Sequence, residues 1–133
     1  MYHTLAVIFD FDDTLVPDST TKLLQTLKNP YLVNKDVSND KRPIPFKNMI
    51  YVGDGLTGIP CFSLLKKEGG TAFGVFNPTE ESSAKRAFLE FLKTGRVISI
   101  HAPKYRRTDE LGSLIRAAVS TRCSRIKMEE QEP

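Results

Sequence analysis

Residues 5–9 (Leu5, Ala6, Val7, Ile8, Phe9) form a short, unbroken apolar run that ends abruptly at Asp10. Such a run, rich in strand formers and closed by polar residues, is the pattern of a central parallel strand buried on both faces. Residues 48–52 repeat the design and run into Gly53, Asp54 and Gly55, predicting a second strand with an acidic turn at its carboxyl end. A third strand is predicted over residues 71–75, after Gly69 and Gly70, and a fourth, less marked, over residues 97–100.

Helical periods alternate with these runs. Asn77 offers a cap, Pro78 suits the first helical position and Glu80 the third, ahead of an apolar face formed by Ala84, Ala87, Phe88, Phe91 and Leu92. Thr108 or Asp109 opens a last helix in which Leu111, Leu114, Ile115, Ala118, Val119 and Ile126 recur at helical spacing, before a polar tail over residues 128–133. Alternating strands and helices predict an α/β fold, a Rossmann-like open parallel sheet with flanking helices. Residues 28–47 lack an apolar period and read as an irregular connection within a single domain spanning residues 1–133.

Composition narrows this picture only slightly. With 133 residues there is room for one compact core and little for a second. Hydrophobic residues at 40% place the chain among globular rather than disordered sequences. No apolar run approaches the ~20 residues that span a bilayer, and the first one meets aspartates too early for a signal peptide, so no membrane partner and a cytoplasmic location are expected. Cys61 and Cys123 lie far apart, without metal-ligand spacing, and are expected to be free, buried thiols. Between Lys85 and Lys127 lie eleven Lys or Arg against Glu90, Asp109 and Glu110. That stretch could attract anions, but it has few aromatic residues for base stacking and is read as a solvated helix face rather than a nucleic-acid surface.

The chemistry concentrates on the carboxylates. In an open parallel sheet, ligands gather outside the carboxyl ends of the strands, and Asp10 and Asp54 each follow a predicted strand. If those strands are neighbours, two like charges converge, which is costly unless a cation or proton lies between them. Magnesium suits such a pair, because it takes a few hard oxygen ligands together with water and phosphate oxygens. A carboxylate could then attack a phosphoryl group and divide one difficult displacement into two, with a second acid, within reach at Asp12, handling the proton.

Residues 7–15, which include Asp10, Asp12, Thr14 and Leu15, resemble the first motif of the haloacid dehalogenase-like hydrolases, DxDxT followed by an apolar residue. Residues 50–58, with Gly53, Asp54 and Gly55, are similar to that family's fourth motif, GDGxxD. The resemblance implies a magnesium-dependent phosphohydrolase acting through an aspartyl-phosphate on a small phosphorylated metabolite. In it Asp10 is nucleophile and metal ligand, Asp12 is general acid/base and ligates magnesium through its backbone carbonyl, Thr14 fixes the loop, and Asp54 supplies the other carboxylate ligand.

The pattern is incomplete. Gly58 stands where the fourth motif places a second acid, and losing such outer support typically costs ~10 to 100-fold in affinity or activity. Only 44 residues lead from Asp10 to Asp54, while each parallel crossover takes ~30 or more. The family places two further strands in this interval, bearing the phosphate-binding Ser or Thr of the second motif and the Lys of the third. Lys35 is either that lysine or a surface residue, the second motif has no counterpart, and no cap domain is evident. The expected core is therefore an incomplete one, shortened by loss of a segment joined near residues 27–30. Its unpaired sheet edges would favour self-association. Two other readings stay open: a catalytically impaired relative acting as a phosphate- or metal-binding remnant, and a basic anion- or nucleic-acid-binding module.

Overall fold

The computed structural model describes residues 4–10, 44–54 and 59–132. Four strands, β1 (Ala6–Phe9), β2 (Met49–Gly53), β3 (Thr71–Val75) and β4 (Ser99–His101), form one sheet in sequential order, every neighbouring pair parallel. Helix α1 (Ile59–Glu68) connects β2 to β3, and α2 (Glu81–Arg86), continued by a π-helical turn (Ala87–Leu92), connects β3 to β4. Helix α3 (Glu110–Glu130) closes the described chain. This is an α/β fold with a parallel sheet flanked by helices.

The strand alternation sorts side chains onto two faces. Tyr51 and Ala72 point to one face, where Phe62 and Leu65 of α1 and Ala87 and Phe91 of the π-helical turn cover them. Ile50, Val52, Phe73 and Val75 point to the other and meet Leu111, with Ile115, Ala118 and Val119 of α3 packed beside them. Both connections that carry helices between neighbouring strands lie on the first face, which keeps successive crossovers of one hand. Ile50 and Val52 are accordingly 2% and 0% exposed, the mark of a strand covered on both sides.

The ends of α1 and of the π-helical turn are closed alike. Gly69 takes φ +82 and the Gly70 amide donates to the Leu65 carbonyl; Gly95 takes φ +73 and the Arg96 amide donates to Phe91. Both are left-handed closures that only glycine makes without strain, and each turns the chain straight into the next strand or its approach.

Several expectations shift. β1 is an edge among the described strands rather than a central one, and Ile8 and Phe9 are 39% and 36% exposed. β4 begins two residues later than its apolar run suggests. Asn77 caps no helix; its side chain accepts from the amide and hydroxyl of Thr79, and its carbonyl from the Glu80 amide, so a tight turn forms and α2 starts at Glu81. In the π-helical turn the Lys93 amide reaches back to the Phe88 carbonyl, and the wider spacing keeps Ala87 and Phe91 inward while Phe88 turns out to solvent.

Phe46, near the end of the supposed irregular connection, and Asn48, the first residue of the predicted second strand, are buried in a single 3-10 turn (Phe46–Asn48) that leads into β2. Helix α3 runs to Glu130, through the first residues of the predicted polar tail, where the Glu129 carboxylate takes hydrogen bonds from Arg122 and Lys47. Those bonds hold its pKa below the ordinary value. Cys61 and Cys123 are free as expected, but Cys123 is exposed.

Phe62 is fully buried and touches the rings of both Tyr51 and Phe91 at centroid distances of 5.5 Å. Truncating it removes the common partner of a strand residue and a helix residue. Phe62→Ala is expected to destabilise the fold by about 3 to 5 kcal/mol in chemical unfolding.

Candidate active site

The ladder between β1 and β2 extends beyond the strand ends. Phe9 pairs with Val52, and the Asp10 amide donates to the Val52 carbonyl at 2.8 Å, which sets Asp10 level with Gly53. Asp54 is the next residue on the neighbouring strand. With ~4.8 Å between paired strands, the two carboxylates leave adjacent strand ends at the carboxyl edge of the sheet. Asp54 is buried and Asp10 half-buried.

Tyr51 lies beneath both. A side chain at Gly53 would have its Cβ 2.8 Å from Cε1 and 3.0 Å from the hydroxyl of Tyr51, so the ring occupies the space that glycine leaves on its own face of β2. Tyr51 is two residues before Gly53 and therefore points the same way. Its hydroxyl bonds the Cys61 thiol on α1, and its ring stands edge-on to Phe62. Burial first, and then the charges of Asp10, Cys61 and Asp54, raise the Tyr51 pKa far above that of an ordinary phenol. Both aspartates contribute to that shift.

Cys61 is also raised, mainly by burial and further by Asp10, with the Tyr51 hydroxyl acting in the opposite sense. It remains a thiol at neutral pH and makes a poor nucleophile. From the other face Tyr105, in the segment between β4 and α3, sets its ring edge-on to Phe9 at 5.5 Å and 84°. Burial and the Asp10 charge push Tyr105 up to about 12. Asp10 is thus flanked by two phenols and a thiol, all protonated near neutrality.

Among the predicted site residues, Asp10 and Asp54 stand at the ends of adjacent strands. Asp12, Thr14 and Lys35 lie outside the described residues, as do Gly55 and Gly58. Among the described residues no group of three or more His, Cys, Asp or Glu side chains could hold a metal. The pair Asp10 and Asp54 still fits magnesium in donor chemistry, being two hard carboxylate donors at one edge, and magnesium completes its octahedron with water and substrate oxygens. Tyr51, Cys61 and Tyr105 were not anticipated. The spacing of Tyr51 and Gly53 on one strand face did hold a local signal, since a glycine two residues from an aromatic leaves room for its ring. Tyr105 carried none, because its position depends on the path of a distant segment.

A second polar cluster closes the far end of the sheet. Buried His101 has its Nε2 2.7 Å from the Ser99 hydroxyl, pairs through Nδ1 with Glu110 at the start of α3, and accepts the Phe76 amide on its carbonyl. With both ring nitrogens turned to groups of the protein, this imidazole ties β4 to α3.

Comparison with known proteins adds little. No family model matches the chain, and no solved structure matches it. A protein of Borreliella burgdorferi described as "Uncharacterized protein" is 34% identical over 61 residues, 44% of this chain and 21% of that protein. The chain thus spans about a fifth of the length of the curated relative it matches.

Two outcomes check the geometry. Gly53→Ala forces the Tyr51 ring to move or the strand to shift, with an expected loss of about 1 to 3 kcal/mol by thermal or urea unfolding. In Tyr105 the folded-state pKa is raised, so its contribution to stability is full below the ordinary phenol pKa of 10 and is lost as pH rises toward 12. Tyr105→Phe should therefore flatten the fall of unfolding free energy between about pH 9.5 and 11.5 relative to the parent protein.

Proposed function

We propose that this chain is a haloacid dehalogenase-like phosphohydrolase, using magnesium and an aspartyl-phosphate to hydrolyse a small phosphorylated metabolite. The observation that carries the reading is the adjacency of β1 and β2, with Asp10 and Asp54 at one edge. The two motifs are far apart in sequence, and their resemblance would be empty of chemistry if their strands were separated.

Asp10 and Asp54 would hold magnesium through their carboxylates, with the Asp12 carbonyl as a further donor. When bound, the ion neutralises the phosphoryl oxygens and relieves the repulsion between the two aspartates. An Asp10 oxygen attacks phosphorus as the bond to the leaving oxygen breaks, and Asp12 donates its proton to that oxygen. Asp12, now a carboxylate, takes a proton from the attacking water, which splits the acyl phosphate to inorganic phosphate and restores Asp10. Tyr51 and Cys61 pack the floor and keep water from beneath Asp10 without supplying charge.

Gly58 and the lack of a second-motif Ser or Thr favour a second reading, a relative that binds phosphate or metal without efficient turnover. Release of phosphate from p-nitrophenyl phosphate with magnesium separates the two. Asp10→Asn is expected to reduce release to the uncatalysed background and Asp12→Asn to lower it about 10² to 10⁴-fold. Equal rates in the parent protein and Asp10→Asn would remove the hydrolase reading and leave the second.

A further inference from the structure

We propose that Ser99, His101 and Glu110 form a second reactive site, a nucleophilic centre for acyl transfer, in which Ser99 attacks a small carboxylic ester, His101 takes its proton and Glu110 holds the imidazole. This goes beyond the phosphohydrolase reading and does not depend on it. All three residues stand within the continuously described stretch 59–132.

Strand geometry makes the first contact. Ser99 and His101 are two residues apart on β4, so their side chains share a face, and the register sets them level with Phe73 and Val75 on the face that α3 covers. The Ser99 hydroxyl lies 2.7 Å from Nε2 of His101. Helix α3 makes the second contact, because its first residue, Glu110, brings a carboxylate oxygen against Nδ1. That nitrogen is buried, and no other hydrogen-bond partner meets it among the described residues.

The tautomer follows from these neighbours. A buried Nδ1 that faces a carboxylate carries the proton, which leaves the lone pair of Nε2 turned to Ser99 and makes the hydroxyl the donor. A serine donating to an imidazole whose other nitrogen is held by a carboxylate is the arrangement that activates the hydroxyl for attack, whatever the order of the three along the chain.

Exposure matches the roles. His101 is 6% exposed and its ring stands 6.3 Å from that of Phe73, so the base is shielded. Ser99 is only half-buried, and β4 is an edge among the described strands. The Ile98 amide donates to Ala72 on β3, so the alternating backbone turns the Ser99 amide away from β3 and out of the sheet edge, beside its own hydroxyl. An amide so placed is a donor for the oxyanion that forms when Ser99 attacks a carbonyl.

In the first step the Ser99 oxygen bonds the carbonyl carbon, the proton passes to Nε2, and the carbon–oxygen bond to the alcohol breaks as that proton is given to the leaving oxygen. Water then loses a proton to Nε2 and attacks the acyl carbon, and the proton returns to Ser99 as the acid departs.

The test uses the full chain, with an alkyl fluorophosphonate to mark the nucleophile by intact mass and peptide mapping, and p-nitrophenyl acetate to read turnover. One adduct is expected, mapped to Ser99 and formed with loss of fluoride; Ser124→Ala, at an exposed hydroxyl of α3, should label like the parent protein. His101→Gln should slow labelling by about 10² to 10⁴-fold. Glu110→Gln, at a side chain 76% exposed, should slow it by about tenfold or more with little change in melting temperature, and Glu110→Asp should recover part of the rate. No adduct on Ser99 in the parent protein, or equal labelling rates in the parent and Glu110→Gln, overturns the proposal. Variants that lower the melting temperature but leave labelling unchanged overturn it as well, and make the three residues a structural clasp. Release of phosphate depends on Asp10 and labelling on Ser99, so the failure of either reading is seen apart from the other.

Discussion

Every feature of the carboxylate edge depends on one pairing, the parallel ladder between β1 and β2 in its observed register. The Asp10 amide on the Val52 carbonyl closes that ladder at the exit, and the Asn48 side-chain amide on the Thr4 carbonyl braces it at the entry. A slip of one residue would exchange the two faces of β1 and set a different residue level with Gly53. The burial of Ile50 and Val52 on one side, and of Tyr51 on the other, leaves no room for β2 to make the complementary slip. Register, and with it the approach of Asp10 to Asp54, is thus enforced by the core and not by the carboxylates, which repel.

The same pairing bears on the short interval after β1. β2 is paired on both of its edges, by β1 and by β3, so among the described strands a further one could join only at the outer edge of β1 or of β4 and not between β1 and β2. The interval between β1 and β2 has the length that one parallel crossover requires, ~30 residues or more. A chain too short for two additional strands is therefore still long enough to bring the two aspartates together. β1 is an edge among the described strands, in keeping with the exposure of Ile8 and Phe9. The register that sets Asp10 level with Gly53 does not depend on that outer edge.

Much of the scaffold was legible in the sequence because it is fixed by local pattern. The apolar runs at 5–9, 48–52 and 71–75 gave three strands nearly to the residue, and the helical spacing after Asp109 gave α3. What failed was decided by competition that pattern does not record. Asn77 carries a good cap side chain, but it satisfies Thr79 first and becomes a turn. Phe88 fits the apolar stripe of a regular helix, and the π-helical turn rotates it out. At the site, Asp10 and Asp54 were identifiable because each follows a strand, whereas Tyr105 could be placed only through the path of the segment after β4.

Charge balance joins these parts. Burial and the nearby aspartates keep Tyr51, Cys61 and Tyr105 protonated, so none of the three offsets the negative charge of Asp10 and Asp54. The Tyr51 hydroxyl is directed to Cys61. Two carboxylates in such surroundings favour a divalent cation between them, yet the cation alone does not make the edge attractive to a phosphorylated substrate, because the ion and the pair largely cancel. Positive charge must come from outside the pair.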